Sequence, residues 1–161
     1  MNLQAMNANV RYPYSAASLA NLEGVRPELV LLAFKLAEIV DCKIVSGVRT
    51  TAEQAAKFAE GLTTKDGYEQ KSAHQVRDDG YGWALDILPL PKGVNMYLDD
   101  GSEDNIRWGQ FDGLVHGLAH GMGIEVMTGF KWRSTMMESL ERPERENTLP
   151  DGNHIQFVRK V

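Results

Sequence analysis

The sequence predicts an α+β fold, with helices and strands in mixed order rather than in the regular alternation of a doubly wound parallel sheet. Three segments are predicted helices, from apolar residues at helical spacing or from residues that cap a helix. Several short segments have the apolar or alternating pattern of strands. Near the end of the chain, the pattern of strand-like segments suggests reversals of direction like those of hairpins. The 161 residues suffice for a buried core, so we expect a single domain over residues 1–161.

The predicted helices begin and end at recognisable residues. The first opens at Pro27, which suits the first helical turn, and apolar residues then recur at helical spacing. The second begins after Thr50, which forms a capping box with Glu53, and it ends at Gly61. The third covers residues 106–122, where apolar side chains again recur at helical spacing.

The predicted strands are separated by polar loops, and residues 81–88 show the strand pattern best. Gly82, Ala84 and Asp86 fall on one face, and the apolar side chains on the other face predict the core. The small residues beside Asp86 therefore suggest room for a substrate and a metal. The other strands are predicted at residues 42–47, 124–128 and 154–158, and long loops at 62–73 and 89–104.

Composition excludes several classes of function. The net charge of −5 offers no broad basic face, so we expect no nucleic-acid partner. Cys42 is the single cysteine, which rules out an intrachain disulfide and predicts a small buried side chain. The sequence has neither an apolar run long enough to cross a bilayer nor a secretory signal pattern. We therefore expect no membrane insertion, and synthesis in the cytoplasm.

Two histidines and two aspartates, far apart in sequence, form a candidate metal site with one arginine. His74, Asp86 and His154 offer two imidazoles and a carboxylate, the usual ligands of a catalytic zinc with a fourth position open. Asp151 lies three residues before His154 and is a candidate general base. Arg49, after the first strand, can hold a substrate carboxylate or a developing oxyanion. This set points to metal-assisted hydrolysis of an amide bond.

Each residue also has a simpler interpretation. A single histidine is more often a surface or hydrogen-bonded residue than a ligand, Asp151 stands in a typical turn sequence, and Arg49 can pair with a surface acid. His116 and His120 form a rival metal pair, because residues at this spacing share one helix face. The corresponding peptidase motif requires a glutamate after the first histidine, and this chain has Gly117. We interpret the pair as helix-surface or half-buried histidines.

The motifs of the chain occur in a specific order. They are Val25-Arg26-Pro27-Glu28-Leu29, Ser46-Gly47-Val48-Arg49-Thr50-Thr51-Ala52-Glu53-Gln54, Ser72-Ala73-His74, Gly82-Trp83-Ala84-Leu85-Asp86, Gly123-Ile124-Glu125-Val126 and Asp151-Gly152-Asn153-His154. This order resembles that of the VanY-like zinc peptidases, which include D,D-carboxypeptidases, L-alanyl-D-glutamate peptidases and many phage endolysins. The resemblance covers nearly the whole chain from Ser18 onward.

The resemblance implies a small α+β zinc D,D-peptidase fold, with helices packed on an antiparallel sheet, and one bound Zn²⁺. The implied zinc ligands are His74, Asp86 and His154. Asp151 is implied as the catalytic acid and base, and Arg49 as a residue that binds the substrate and the transition state. Ser72 and Gln54 are implied to shape the substrate site.

Two segments depart from the family pattern. The spacer between the first histidine and the glycine is longer here and comprises residues 75–81, and residues 133–150 lengthen the segment before Asp151. We interpret both segments as loops beside the metal that can act as a lid or alter substrate preference. Asp78 or Asp79 is an alternative first ligand, although neither stands in the Gly-x-Ala-x-Asp frame.

The predicted function is cleavage of the peptidoglycan stem peptide at the L-Ala–D-Glu bond by a monomeric phage endolysin. Such a protein is made in the host cytoplasm without a signal peptide and reaches the wall in the periplasm after holin-type release. One alternative is a D,D-carboxypeptidase of the same family. Another is a non-haem iron oxygenase, which uses a similar ligand set on a double-sheet jelly roll with a shorter ligand spacing. A third is a non-catalytic wall-binding or virion module, against which the intact Asp151 argues.

Overall fold

The strands of residues 1–130 and 152–161 form a four-stranded antiparallel sheet. The computed structural model describes residues 1–130 and 152–161. In chain order the strands of this part are β1 (Cys42–Ser46), β2 (Ala84–Pro89), β3 (Ile124–Thr128) and β4 (His154–Lys160). Their order in the sheet is β1-β2-β4-β3, so the last strand lies between the second and the third. This insertion aligns Asp86 of β2 with His154 of β4.

The helices of the described ranges are α1 (Leu3–Asn7), α2 (Ala16–Asn21), α3 (Pro27–Ala37), α4 (Thr51–Ala59) and α5 (Asn105–Gly121). The two predicted starts of α3 and α4 are confirmed. Pro27 lies in the first turn of α3, and Thr50 and Glu53 form the reciprocal capping box of α4. Gly61 follows α4 with a φ of +73°, a left-handed conformation that suits glycine at the end of a helix.

The apolar core lies between the sheet and the two longest helices. Helix α3 contacts β2, β4 and α5, and α5 also contacts β3. The most deeply buried side chains of this core include Leu29, Leu36, Leu85, Ile87, Trp108, Val115 and Ile155. Side chains alternate along a strand, so Leu85 and Ile87 face this core while Asp86 faces the other side of the sheet. The fold therefore presents Asp86 and His154 away from the helices α3 and α5.

The α+β prediction with an antiparallel sheet is confirmed. Two elements were missed, α1 and α2, which have five and six residues and are too short to show helical periodicity. Cys42 is buried, as predicted for a small apolar side chain. Among the helices of residues 1–130 and 152–161, none is both long and apolar enough for a membrane span.

Candidate metal centre

The side chains of His74, Asp86 and His154 bring three donor atoms together. Nε2 of His74 and Nδ1 of His154 each lie 3.1 Å from Oδ1 of Asp86, and the two nitrogens are 3.2 Å apart. All three residues are buried. Ligands about 2.0–2.1 Å from a tetrahedral ion stand roughly 3.3 Å from one another, close to the spacing found here. The cluster can therefore hold one metal ion.

The sheet and one loop segment position these donors. Asp86 and His154 are directly paired across β2 and β4, so their side chains leave the sheet on the same face. His74 belongs to a loop segment that runs beside the start of β2, where the Trp83 N–H donates to the Ala73 carbonyl at 2.7 Å. The Arg49 N–H donates to the His74 carbonyl at 3.0 Å. These backbone bonds bring the loop histidine to the sheet.

A hydrogen bond to Gly47 sets the orientation of His74. Nδ1 of His74 lies 2.7 Å from the Gly47 carbonyl, which only accepts, so Nδ1 carries the proton and Nε2 offers its lone pair to the cluster. Gly47 itself packs against the backbone of Asn21, where an added Cβ would lie 1.7 Å from the Asn21 carbonyl oxygen. The glycine of the Ser46-Gly47 motif is therefore required by this close backbone contact.

The small residues beside Asp86 do not leave open space, in contrast to the expectation from the strand pattern. A Cβ at Gly82 would lie 2.9 Å from Cγ2 of Val48 and 3.0 Å from the His74 carbonyl oxygen. Ala84 is fully buried. The correction has a packing reason: small side chains at these positions let the loop that carries His74 lie directly against β2.

The Asp86 carboxylate is bound on both oxygens. Oδ1 faces the two histidines, and Oδ2 accepts a 2.6 Å charged hydrogen bond from Nη2 of Arg49. Burial alone would raise the pKa of Asp86. In the metal-free protein, hydrogen bonds from the protonated forms of His154 and His74, together with the positive charges of those forms, outweigh burial and hold the pKa of Asp86 well below the ordinary value. Asp86 is therefore anionic at neutral pH, as a carboxylate that binds a metal must be.

Arg49 lies at the cluster, where the sequence predicted it. Its Nε donates to Oγ of Ser46 at 3.1 Å while Nη2 binds Asp86. A guanidinium has five N–H donors, and these contacts use two of them. The arginine can thus orient the metal-ligand carboxylate and still offer donors to a second group at the site.

Ser72 and Gln54 occupy different positions relative to the cluster. Ser72 is buried two residues before His74, and its hydroxyl makes no hydrogen bond within the described part of the chain. Gln54 is fully buried under the 62–73 loop, where Nε2 donates to the Lys65 carbonyl at 2.9 Å. Gln54 thus supports the loop that precedes His74. Substrate binding by Ser72 or Gln54 stays a prediction.

Gln75 is a supporting residue that sequence reasoning missed. Its Oε1 accepts from the Ser72 N–H at 2.9 Å, and its Nε2 donates to the Gly67 carbonyl at 2.8 Å. The buried amide therefore ties the segment with Ser72 and His74 to the preceding loop. The sequence gives no signal for this role, because an isolated glutamine at the edge of a loop has no characteristic pattern.

The predicted general base, Asp151, and the predicted loop at residues 133–150 lie outside the described residues. The tip of the other unusual loop, residues 75–81, lies away from the cluster. Asp79 forms an ion pair with Arg26 and accepts hydrogen bonds from Nε1 of Trp83, whose ring packs edge-on against Phe157. These contacts lie on the face of the sheet opposite Asp86. They also exclude Asp79 as a substitute for His74.

The rival pair His116 and His120 does not form a joint metal site. His120 is exposed, while His116 is buried rather than half-buried, which corrects that part of the prediction. His116 lies 3.5 Å from both Asp112 and Thr128, and the Thr128 hydroxyl donates to Asp112. This buried polar group joins α5 to β3 on the core side of the sheet. The helical spacing could not reveal that β3 covers His116.

Comparison with known proteins agrees with this geometry. A profile of the family described as phage L-alanyl-D-glutamate peptidase matches residues 10–158. Among solved structures, the chain is similar to the L-Ala D-Glu endopeptidase ChiX of Serratia marcescens, with 25% identity, a TM-score of 0.61 and coverage of 92% of each chain. No curated protein matches in sequence. Since the family profile covers most of its length, the chain belongs to the phage L-alanyl-D-glutamate peptidase family.

Proposed function

We propose that the protein is a zinc-dependent endopeptidase that cleaves the L-Ala–D-Glu bond of the peptidoglycan stem peptide and acts as a phage endolysin. Family membership makes the chain a peptidase of this stem peptide. The observation that carries the zinc proposal is the buried donor triangle of His74, Asp86 and His154, which is spaced for one ion. The similar Serratia protein, an L-Ala D-Glu endopeptidase, is named for the same bond.

The donor chemistry favours zinc. Two neutral imidazoles and one carboxylate are a common ligand set of catalytic zinc, and His74 is already oriented through Gly47 to offer Nε2. Bound there, the ion would polarise the scissile carbonyl and acidify a water molecule. A non-haem iron oxygenase is disfavoured, because the described strands form one four-stranded sheet rather than a double-sheet jelly roll.

The surrounding side chains have distinct parts in this proposal. Arg49 holds the Asp86 carboxylate in place and directs its remaining donors toward a substrate carboxylate or the oxyanion of the transition state. The Ser72 hydroxyl accepts from or donates to the substrate backbone. Asp151 takes the proton of the attacking water and transfers it to the leaving amine. Gln54 acts through the loop that it supports.

The cellular setting is part of the same proposal. We expect a monomer that is made in the host cytoplasm and that acts on the wall in the periplasm after holin-type release. Peptidoglycan is the macromolecular partner. These expectations follow from the phage peptidase family.

The test is digestion of purified peptidoglycan, with the products identified by mass spectrometry. New D-Glu amino termini that disappear when a chelator is added support the proposal. Release of free D-alanine alone would indicate a D,D-carboxypeptidase instead. Tight binding to the wall with intact stem peptides, by protein shown to hold zinc, would indicate a non-catalytic wall-binding or virion module.

A further inference from the structure

The backbone that enters β4 is held at three successive residues. The Asn153 carbonyl accepts from the Ile87 N–H and the His154 carbonyl accepts from the Gly129 N–H, each at 2.8 Å. Both bonds extend the pairing of the sheet. The third contact comes from outside the sheet: the Gly152 N–H donates to Oε1 of Glu103 at 2.8 Å.

Gly152 is also enclosed by a large side chain. A Cβ at this position would lie 2.7 Å from Cδ2 and Cε3 of Trp108 and 2.9 Å from Oε1 of Glu103. Trp108 is fully buried in the core and cannot easily move aside. The backbone of Gly152 thus lies directly against the indole ring, with the Glu103 carboxylate on its N–H.

Glu103 projects from an anchored part of the 89–104 loop. It forms an antiparallel bridge with Tyr97, and the next residue, Asp104, donates its N–H to the Met96 carbonyl at 3.0 Å. Asp104 also caps α5 by accepting from the N–H groups of Ile106 and Arg107. The carboxylate of Glu103 is therefore held beside the start of α5.

A glycine just before a metal-ligand residue needs such a restraint. Glycine populates more backbone conformations than other residues, so the sequence at Gly152 does not by itself fix the path into His154. A hydrogen bond to a carboxylate is stronger than one between neutral groups, and Trp108 prevents the backbone from moving toward the core. Together they fix the chain two residues before the His154 ligand.

We propose that Glu103 is a positioning residue for His154, which it holds in the metal-binding geometry through the Gly152 backbone. Its part in catalysis rests on the function proposed above, but its effect on metal binding does not. Groups that orient metal ligands typically change metal affinity or activity by about 10- to 100-fold when they are removed. We expect an effect of this size from Glu103.

The test compares Co²⁺ affinity, measured by competition with a chelating indicator, among the full-length wild type and four variants. Glu103→Ala removes the acceptor, and Glu103→Asp retracts it while keeping the charge. Glu103→Gln keeps a carbonyl oxygen that can accept from Gly152. Asp99→Ala, an exposed acid in the same loop, is the matched control. Thermal unfolding of the metal-free proteins reports how each change affects the fold.

Weaker Co²⁺ binding by about 10-fold or more in Glu103→Ala and Glu103→Asp, with a smaller loss in Glu103→Gln and wild-type binding in Asp99→Ala, supports the proposal. Wild-type affinity and absorption spectra in Glu103→Ala and Glu103→Asp would overturn it. A loss of Co²⁺ affinity that is fully explained by the unfolded fraction of each variant would also overturn it. The same holds if the wild type binds no Co²⁺. Failure of the wild type to cleave stem peptides would refute the proposed function and leave the Co²⁺ comparison valid.

Discussion

Nη2 of Arg49 lies 2.6 Å from Oδ2 of Asp86, so the carboxylate that meets two histidines with one oxygen meets a guanidinium with the other. Burial would raise the pKa of Asp86, but the two histidines hold it below the ordinary value, and the hydrogen bond from Arg49 orients the carboxylate. Arg49 thus contacts a candidate metal ligand directly and keeps N–H donors that Asp86 and Ser46 do not use. The candidate metal centre is therefore a set of four side chains rather than three.

Arg49→Lys should lower kcat/KM on stem peptides by about 10- to 100-fold and weaken zinc binding. Lysine keeps the charge, but it lacks the planar guanidinium that contacts Ser46 and Asp86 at the same time. Steady-state kinetics and zinc competition measure the two effects. Wild-type rates and affinity in Arg49→Lys would contradict the assigned contact.

His154→Ala should abolish stoichiometric zinc binding, because it removes one of the three donors of the cluster. His120→Ala is the matched control, since His120 is an exposed histidine on α5, and it should bind zinc as the wild type does. Metal analysis after gel filtration measures both. Retention of zinc by His154→Ala, or its loss from His120→Ala, would place the metal elsewhere.

Ser72→Ala should leave stability unchanged while lowering kcat/KM by about 10-fold, the equivalent of one hydrogen bond to the substrate. The reason is that the buried Ser72 hydroxyl has no partner within the described residues. Ser18 is the contrasting serine, because its Oγ accepts from the Ile44 N–H at 3.2 Å. Ser18→Ala should cost about 1 kcal/mol of unfolding free energy without changing catalysis. Urea unfolding and steady-state kinetics measure both variants. A less stable Ser72→Ala with unchanged kcat/KM would exclude a substrate role for Ser72.

The stability of the metal-free protein should depend on pH through Glu28. Burial would raise the pKa of Glu28, but a hydrogen bond from Lys160 and the charges of Arg26 and Lys160 lower it overall. A folded pKa below the unfolded value gives stability that is present above about pH 4.3 and lost as the pH falls through the folded pKa.

Glu28→Gln should therefore destabilise the metal-free protein at about pH 7 by less than about 1 kcal/mol, since Lys160 is largely exposed. The difference from the wild type should shrink at about pH 3. Urea unfolding at both pH values measures it. An equal difference at both values would show that the carboxylate charge is not responsible.

The sequence predicted those parts of the site that leave a local pattern. His74, Asp86 and His154 stand in short motifs whose order along the chain is distinctive, and the structure brings them together. The starts of α3 and α4 follow from Pro27 and from the capping box at Thr50. Local chemistry decides the two helix starts, whereas the choice of the three donors rested on the resemblance of the motif order to a known family.

The remaining features depend on which segments meet. The burial of His116 requires β3 to cover α5, and the roles of Gln75 and Glu103 require contacts between separate loops. The small residue at Gly82 indicated an open face, but its neighbours are Val48 and the His74 backbone. Pairing between distant segments leaves no periodic signal in a single sequence.

The most direct test of the central claim is a zinc titration of the metal-free protein, with bound zinc and the release of D-Glu amino termini followed together. We predict that activity rises in proportion to bound zinc and reaches its maximum at one ion per chain, and that His154→Ala shows neither change. Full activity in metal-free protein, or a zinc-saturated protein that leaves the stem peptide intact, would contradict the account.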